Sequence, residues 1–111
     1  AMVAADGFRM TIRGLGGHGA QPNLCIDPIA VGAQIVTALQ TIVGREQDPT
    51  LPGVVTVGSF HAGKASNVIP DTAELSGTLR AVEQEQRLEL ARRLEEIATG
   101  VAAAMRATVD V

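Results

Sequence analysis

Residues 54–80 read VVTVGSFHAGKASNVIPDTAELSGTLR, two β-patterned runs joined by a loop with no helix between them. The first run, from about Val54 to His61, is rich in β-branched residues, and its inward register is ambiguous. The second sets Ala73, Leu75, Gly77 and Leu79 on one side and Glu74, Ser76, Thr78 and Arg80 on the other. That alternation is the period of a strand with one wet face.

Upstream of this pair, the breaker DPTLPG (residues 48–53) closes a helix that opens at Asp27-Pro28, an N-cap followed by proline at the first helical position. The helix is predicted over residues 28–45. Ile29, Ala33, Val36 and Val43 form one apolar stripe, and Val31, Ile35, Ala38 and Ile42 form a second on its flank. Together they cover well over half the circumference, more than one sheet can bury. Before the helix lie a glycine-rich segment, GLGGHGAQPNLCID, and a strand, FRMTIR, at residues 8–13. Downstream of the strand pair, Leu88, Ala91, Leu94, Ala98, Val101 and Met105 recur three or four apart and predict a second helix from about Glu83 to Arg106. Gly100 interrupts it at a cost of about 1 kcal/mol. Residues 107–111 begin a fourth strand, and the chain has no repeat or low-complexity tract.

The order is βαββαβ, an α+β, ferredoxin-like arrangement of a four-stranded antiparallel sheet with two helices on one face. In this topology the strands lie in the spatial order four, one, three, two. The second strand is therefore an edge, with the over-apolar first helix beside it, and an unprotected edge is a template for pairing. The expected assembly is a homodimer through helix 28–45 and edge strand 54–61. The alternative is that another domain of the same chain covers the surplus apolar surface.

Composition narrows the function. The chain has 111 residues, a formal charge of −3 and 46% apolar residues, enough for one small core. Phe8 and Phe60 are its only aromatics and no Lys/Arg block occurs, which argues against nucleic acid and anionic membranes as partners. Cys25 is alone, so no internal disulfide is possible, and His18 and His61 cannot by themselves complete a structural zinc site. No signal peptide or membrane-spanning run is evident, and the expected location is cytoplasmic. Both ends read as cuts from a longer chain.

Gly14, Gly16 and Gly19 spell the dinucleotide fingerprint GxGxxG. The reading fails, because Pro22 and a further stretch of loop separate these glycines from the helix, whose N-terminus must meet the pyrophosphate. His18, among the glycines, is accessible to a ligand; its plain alternative is a solvated loop histidine. His61, at a strand end, reads as structural and Cys25 as incidental. Asn67 and Arg80 offer an amide and a bidentate guanidinium, the groups of a carboxylate pocket. Taken singly, Asn67 reads as a turn residue and Arg80 as a wet-face charge paired with Glu74 or Glu83.

Taken together, GLGGHGAQP, IDPI, ALQTIVGRE, VVTVGSFHAGKASNVIPD and GTLR resemble the lid, or dimerisation, domain of the zinc-dependent aminoacylase and carboxypeptidase family. The likeness is closest to the hippurate hydrolase and N-acyl-L-amino acid amidohydrolase branch, which includes plant auxin-conjugate hydrolases. It covers nearly the whole chain. It implies a single lid domain over residues 1–111, excised from a hydrolase whose separate catalytic domain holds zinc or another divalent metal pair and a glutamate base. It further implies that His18 stabilises the oxyanion in the partner subunit's active site, and that Asn67 and Arg80 bind the carboxylate or amide oxygen of an N-acyl amino acid. The metal-binding segments of that family are missing here, so the chain alone is expected to be catalytically inert. Other possibilities are a free-standing dimeric module that binds small carboxylates, or a purely structural dimerisation module.

Overall fold

The computed structural model describes residues 4–111. Residues 1–3 of the expected domain lie outside the described residues. The elements follow the predicted order with two small additions. Strand β1 (Ala4–Arg13) is followed by β2 (Gly17–His18), α1 (Pro28–Thr41), β3 (Gly53–Ala62), β4 (Val68–Ile69), β5 (Thr72–Ala81), α2 (Gln84–Ala104) and β6 (Thr108–Asp110).

β3, β5, β1 and β6 form one antiparallel sheet in that spatial order, so β3 is an edge and β5 is paired on both sides. β1 runs against β5 from Ala4↔Ala81 to Arg13↔Thr72, and β3 runs against β5 from Gly53↔Ala81 to Ala62↔Ala73. The ambiguous register of β3 has a structural cause. Its pairing steps from Val57↔Gly77 to Ser59↔Ser76, leaving Gly58 as an extra residue, a β-bulge that exchanges the two sides of the strand halfway along.

Both helices pack on one face of the sheet. Met10, Ile12, Leu75 and Leu79 from the strands meet Val31, Ile35, Leu39 and Ile42, and these meet Leu90, Leu94, Ala98 and Ala102. At about 25 cal/mol per Å² of apolar surface, a buried side chain of this size contributes roughly 1.5–3 kcal/mol. Of the two stripes on the first helix, the one through Val31, Ile35 and Ile42 is buried, while Ile29, Ala33 and Val43 remain exposed. No charged residue lies between Pro28 and Thr41. The Asp27 carboxylate accepts a hydrogen bond from the Ile29 amide at 2.9 Å, the predicted cap, and residues 42–46 continue as a π turn instead of α-helix.

The second helix departs from expectation in two places. Leu88 is 55% exposed, and the stripe that reaches the core runs Leu90, Leu94, Ala98 and Ala102. The helix stops at Ala104 because Arg106 adopts φ 70° and the Ala107 amide donates to the Ala102 carbonyl at 2.8 Å, a Schellman stop. Gln86 is buried; its amide group donates to the Gln47 side chain and to the Leu51 and Pro52 carbonyls, tying α2 to the segment that enters β3.

Candidate functional site

The glycine-rich segment forms a ribbon with the loop that precedes β5. Gly17 pairs with Ile69 and His18 with Val68, and beside them the Gly19 amide donates to the Asn67 carbonyl at 2.8 Å. Gly16 donates its amide to the Asp71 carboxylate at 2.9 Å. This approach requires glycine: a Cβ on Gly16 would stand 2.4 Å from the Ile69 carbonyl oxygen. The glycines therefore serve a close crossing of two backbones, which agrees with rejecting the dinucleotide reading.

The ribbon brings His18 and Asn67, 49 positions apart in sequence, to one end of the sheet. His18 is exposed, and its Nδ1 accepts a hydrogen bond from the Ala20 amide at 3.0 Å. An imidazole that accepts at Nδ1 carries its proton on Nε2, so the outward nitrogen is a donor. The neighbouring loop turns at Gly63, where φ is 78°, and is flanked by two grooves. One, of about 590 Å³, is bordered by His61, Lys64, Val68, Pro70, Thr72 and Glu74. The other, of about 440 Å³, is bordered by Gly19, Asp27, Ile29, Ser66 and Ile69.

Arg80 is not part of this cluster. It stands opposite Val54 and Ala5, at the far end of β5 from the ribbon, and eight residues at about 3.3 Å each put it roughly 26 Å from Thr72. It is exposed and makes no ion pair among the described residues, neither with Glu74 nor with Glu83. His61 is exposed on the open face of the sheet, across from Glu74, and so is not held inside a core. Cys25 is half-buried, with its Sγ 3.6 Å from the Gln21 carbonyl oxygen.

No group of three or more His, Cys, Asp or Glu side chains among the described residues could hold a metal ion. The residues present therefore do not fit a metal pair. No helix among the described residues is long and apolar enough to cross a membrane.

A sequence family described as a peptidase dimerisation domain matches residues 4–106. The chain is 46% identical over 102 residues to N-acetyldiaminopimelate deacetylase of Streptococcus thermophilus, covering 92% of this chain and 27% of that protein. It is 44% identical over 109 residues to N-acyl-L-amino acid amidohydrolase of Geobacillus stearothermophilus, covering 98% of this chain and 30% of the relative. Among solved structures, a dinuclear metal-binding M20-family peptidase from Bacillus subtilis superposes with a TM-score of 0.72 at 32% identity, over 96% of this chain and 24% of that one. The chain thus spans less than a third of the length of these relatives.

Proposed function

The chain belongs to the peptidase dimerisation domain family, and on that premise we propose that it is the dimerisation and substrate-binding lid of a hydrolase acting on N-acyl amino acids. The metal pair, zinc or another divalent ion, would belong to the two thirds or more of the relatives' length that this chain does not match. No cluster of ligands for it occurs among the described residues. The isolated chain is accordingly inert toward N-acyl amino acids.

One observation carries the reading: His18 and Asn67 sit at one end of the sheet and Arg80 at the other. They cannot share a substrate within one chain. A twofold dimer that sets β3 antiparallel to a second β3 removes the difficulty. It lays the Gly53 end of one strand beside the Ala62 end of the other. Arg80 is the neighbour of Val54, so it then lies about two strand spacings, roughly 10 Å, from the partner's strand end that leads into the loop toward Asn67. In that composite site the Nε2 proton of His18 is placed to donate to an oxyanion, the Asn67 amide to hold an amide oxygen, and the Arg80 guanidinium to grip a carboxylate.

Subunit complementation in the full-length hydrolase tests this. His18→Ala and Arg80→Ala should each lower kcat/KM for an N-acetyl amino acid by about 10²-fold or more. Refolded together, the two inactive variants should regain roughly a quarter of wild-type activity, because half of the dimers are mixed and each mixed dimer has one intact site. No recovery on mixing would show that the residues act within one chain or not at all.

A further inference from the structure

We propose that β3 pairs with the same strand of a second copy in a single register, fixed by its bulge. Val54 lies opposite the partner's His61, Val55 opposite the partner's Phe60 and Thr56 opposite the partner's Ser59, with the twofold axis at Val57–Gly58. The inference rests on the dimer reading above and adds to it which residues meet.

The ten residues of β3 contain no Lys, Arg, Asp, Glu or Pro, the usual guards of an open edge. Val54 and Phe60 on that edge are 39% and 37% exposed. The bulge then decides the register. Before it, Val55 and Val57 lie opposite Leu79 and Gly77 and face the helices, while Val54 and Thr56 face the open side. After it, Phe60 lies opposite Leu75 and faces the helices, while Ser59 and His61 face the open side.

A twofold antiparallel seam joins the first half of one strand to the second half of the other. Helices cover only one face, so helix-side residues must meet helix-side residues. In a strand without a bulge, a symmetric seam pairs odd positions with odd and even with even. Here that arrangement would set Val55 against Ser59 and Val54 against Phe60, crossing the faces. Pairing odd with even satisfies both faces, and using the whole strand from Gly53 to Ala62 selects the register above. The bulge sits at the midpoint of the strand, where one irregularity serves both copies. The end of the Phe60 ring lies over Gly32 of α1, where a Cβ would come within 2.7 Å of Cζ. The helix-side seam thus continues into the uncharged outer surface of α1.

Paired cysteines read the register directly. On a Cys25→Ser background, Thr56→Cys with Ser59→Cys places two thiols on facing residues, with Cα atoms about 4.5–5.5 Å apart, within disulfide reach. Copper-phenanthroline oxidation should convert most of this double variant to disulfide-linked dimer. Each single variant should stay uncrosslinked, since two copies of residue 56 would lie about 11 Å apart. Val54→Cys with His61→Cys should behave as the first pair does, and decides the matter if circular dichroism shows the first to be misfolded. Sedimentation velocity on the same samples separates the failures. A dimer in which neither double variant crosslinks, or in which Thr56→Cys crosslinks alone, overturns the register and leaves the dimer standing. A monomer at high concentration overturns both.

Discussion

Gly16→Ala should open the ribbon that holds His18 beside Asn67. The added Cβ would stand 2.4 Å from the Ile69 carbonyl oxygen and 3.0 Å from an Asp71 carboxylate oxygen, about 1 Å inside ordinary contact with the first. Ile69 lies in β4 and Asp71 immediately before β5, so the segment carrying Gly16 must move away from them. Moving it breaks the charge-assisted bond from the Gly16 amide to Asp71 and weakens the Gly19–Asn67 bond. A hydrogen bond to a charged group contributes about 1.5–3 kcal/mol and a neutral one about 0.5–1.5. These values already include exchange with water, and the second bond is weakened and not lost, so the expected loss is about 2–4 kcal/mol. For a domain of this size that lowers the melting temperature by roughly 8–16 °C. The chain has no Trp or Tyr, so far-UV circular dichroism is the suitable readout, with the Gly19 and Val68 amides followed by hydrogen exchange. A melting temperature within about 2 °C of wild type would refute the argument that this crossing requires glycine.

Gly100→Ala is the converse case: nothing lies within 4 Å of the new Cβ, the site is inside α2, and the melting temperature should rise by up to about 4 °C. Leu94→Ala should cost about 2–5 kcal/mol in urea unfolding, whereas Leu88→Ala, on the exposed side of the same helix, should stay within about 0.5 kcal/mol. His18→Ala and Arg80→Ala should also leave the melting temperature within about 2 °C, since both side chains are exposed; a larger loss would mark them as structural. Hydrogen bonds from Arg93 and Arg92 hold the Glu46 and Glu89 carboxyls below the usual carboxylate range. The unfolded chain therefore binds more protons in acid, so this stabilisation is complete at neutral pH and is lost as pH falls from about 5 through the lowered folded values. Urea midpoints measured against pH should decline over that window, and less steeply in Glu46→Gln.

The element order was legible because its signals are local. Asp27-Pro28 caps a helix, β5 alternates, and Asp48–Gly53 breaks the chain between elements. The facing of β3 was not, because a strand read at period two from either end gives opposite answers once Gly58 adds a residue. The ribbon is not legible in the sequence for another reason. Two-residue strands have no period, and Gly17 and Val68 meet only after the sheet has formed. Four glycines between residues 14 and 19 were the available signal, and their purpose depends on a neighbour far along the chain. Leu88 and Gln86 lie at the start of α2, where the π turn and the Gln47–Pro52 segment decide which side is covered. His18, Asn67 and Arg80 are proposed as site residues on resemblance, since each alone has an ordinary explanation.

The position of β5 in the chain also governs how the protein is made. β3 finds its only strand partner in the described residues in β5, and β1 finds nearly all of its pairing there. During synthesis β1 is complete at Arg13, yet Ala81, its furthest partner, leaves the ribosome 68 residues later. At about 5–20 residues per second β1 waits roughly 3–14 seconds for the end of β5, and β3, complete at Ala62, waits roughly 1–4 seconds. The bare, uncharged β3 that suits assembly is exposed during the shorter of these waits. Slow translation or a shortage of chaperones should thus reduce the yield of this domain more than that of one whose strands pair as they emerge.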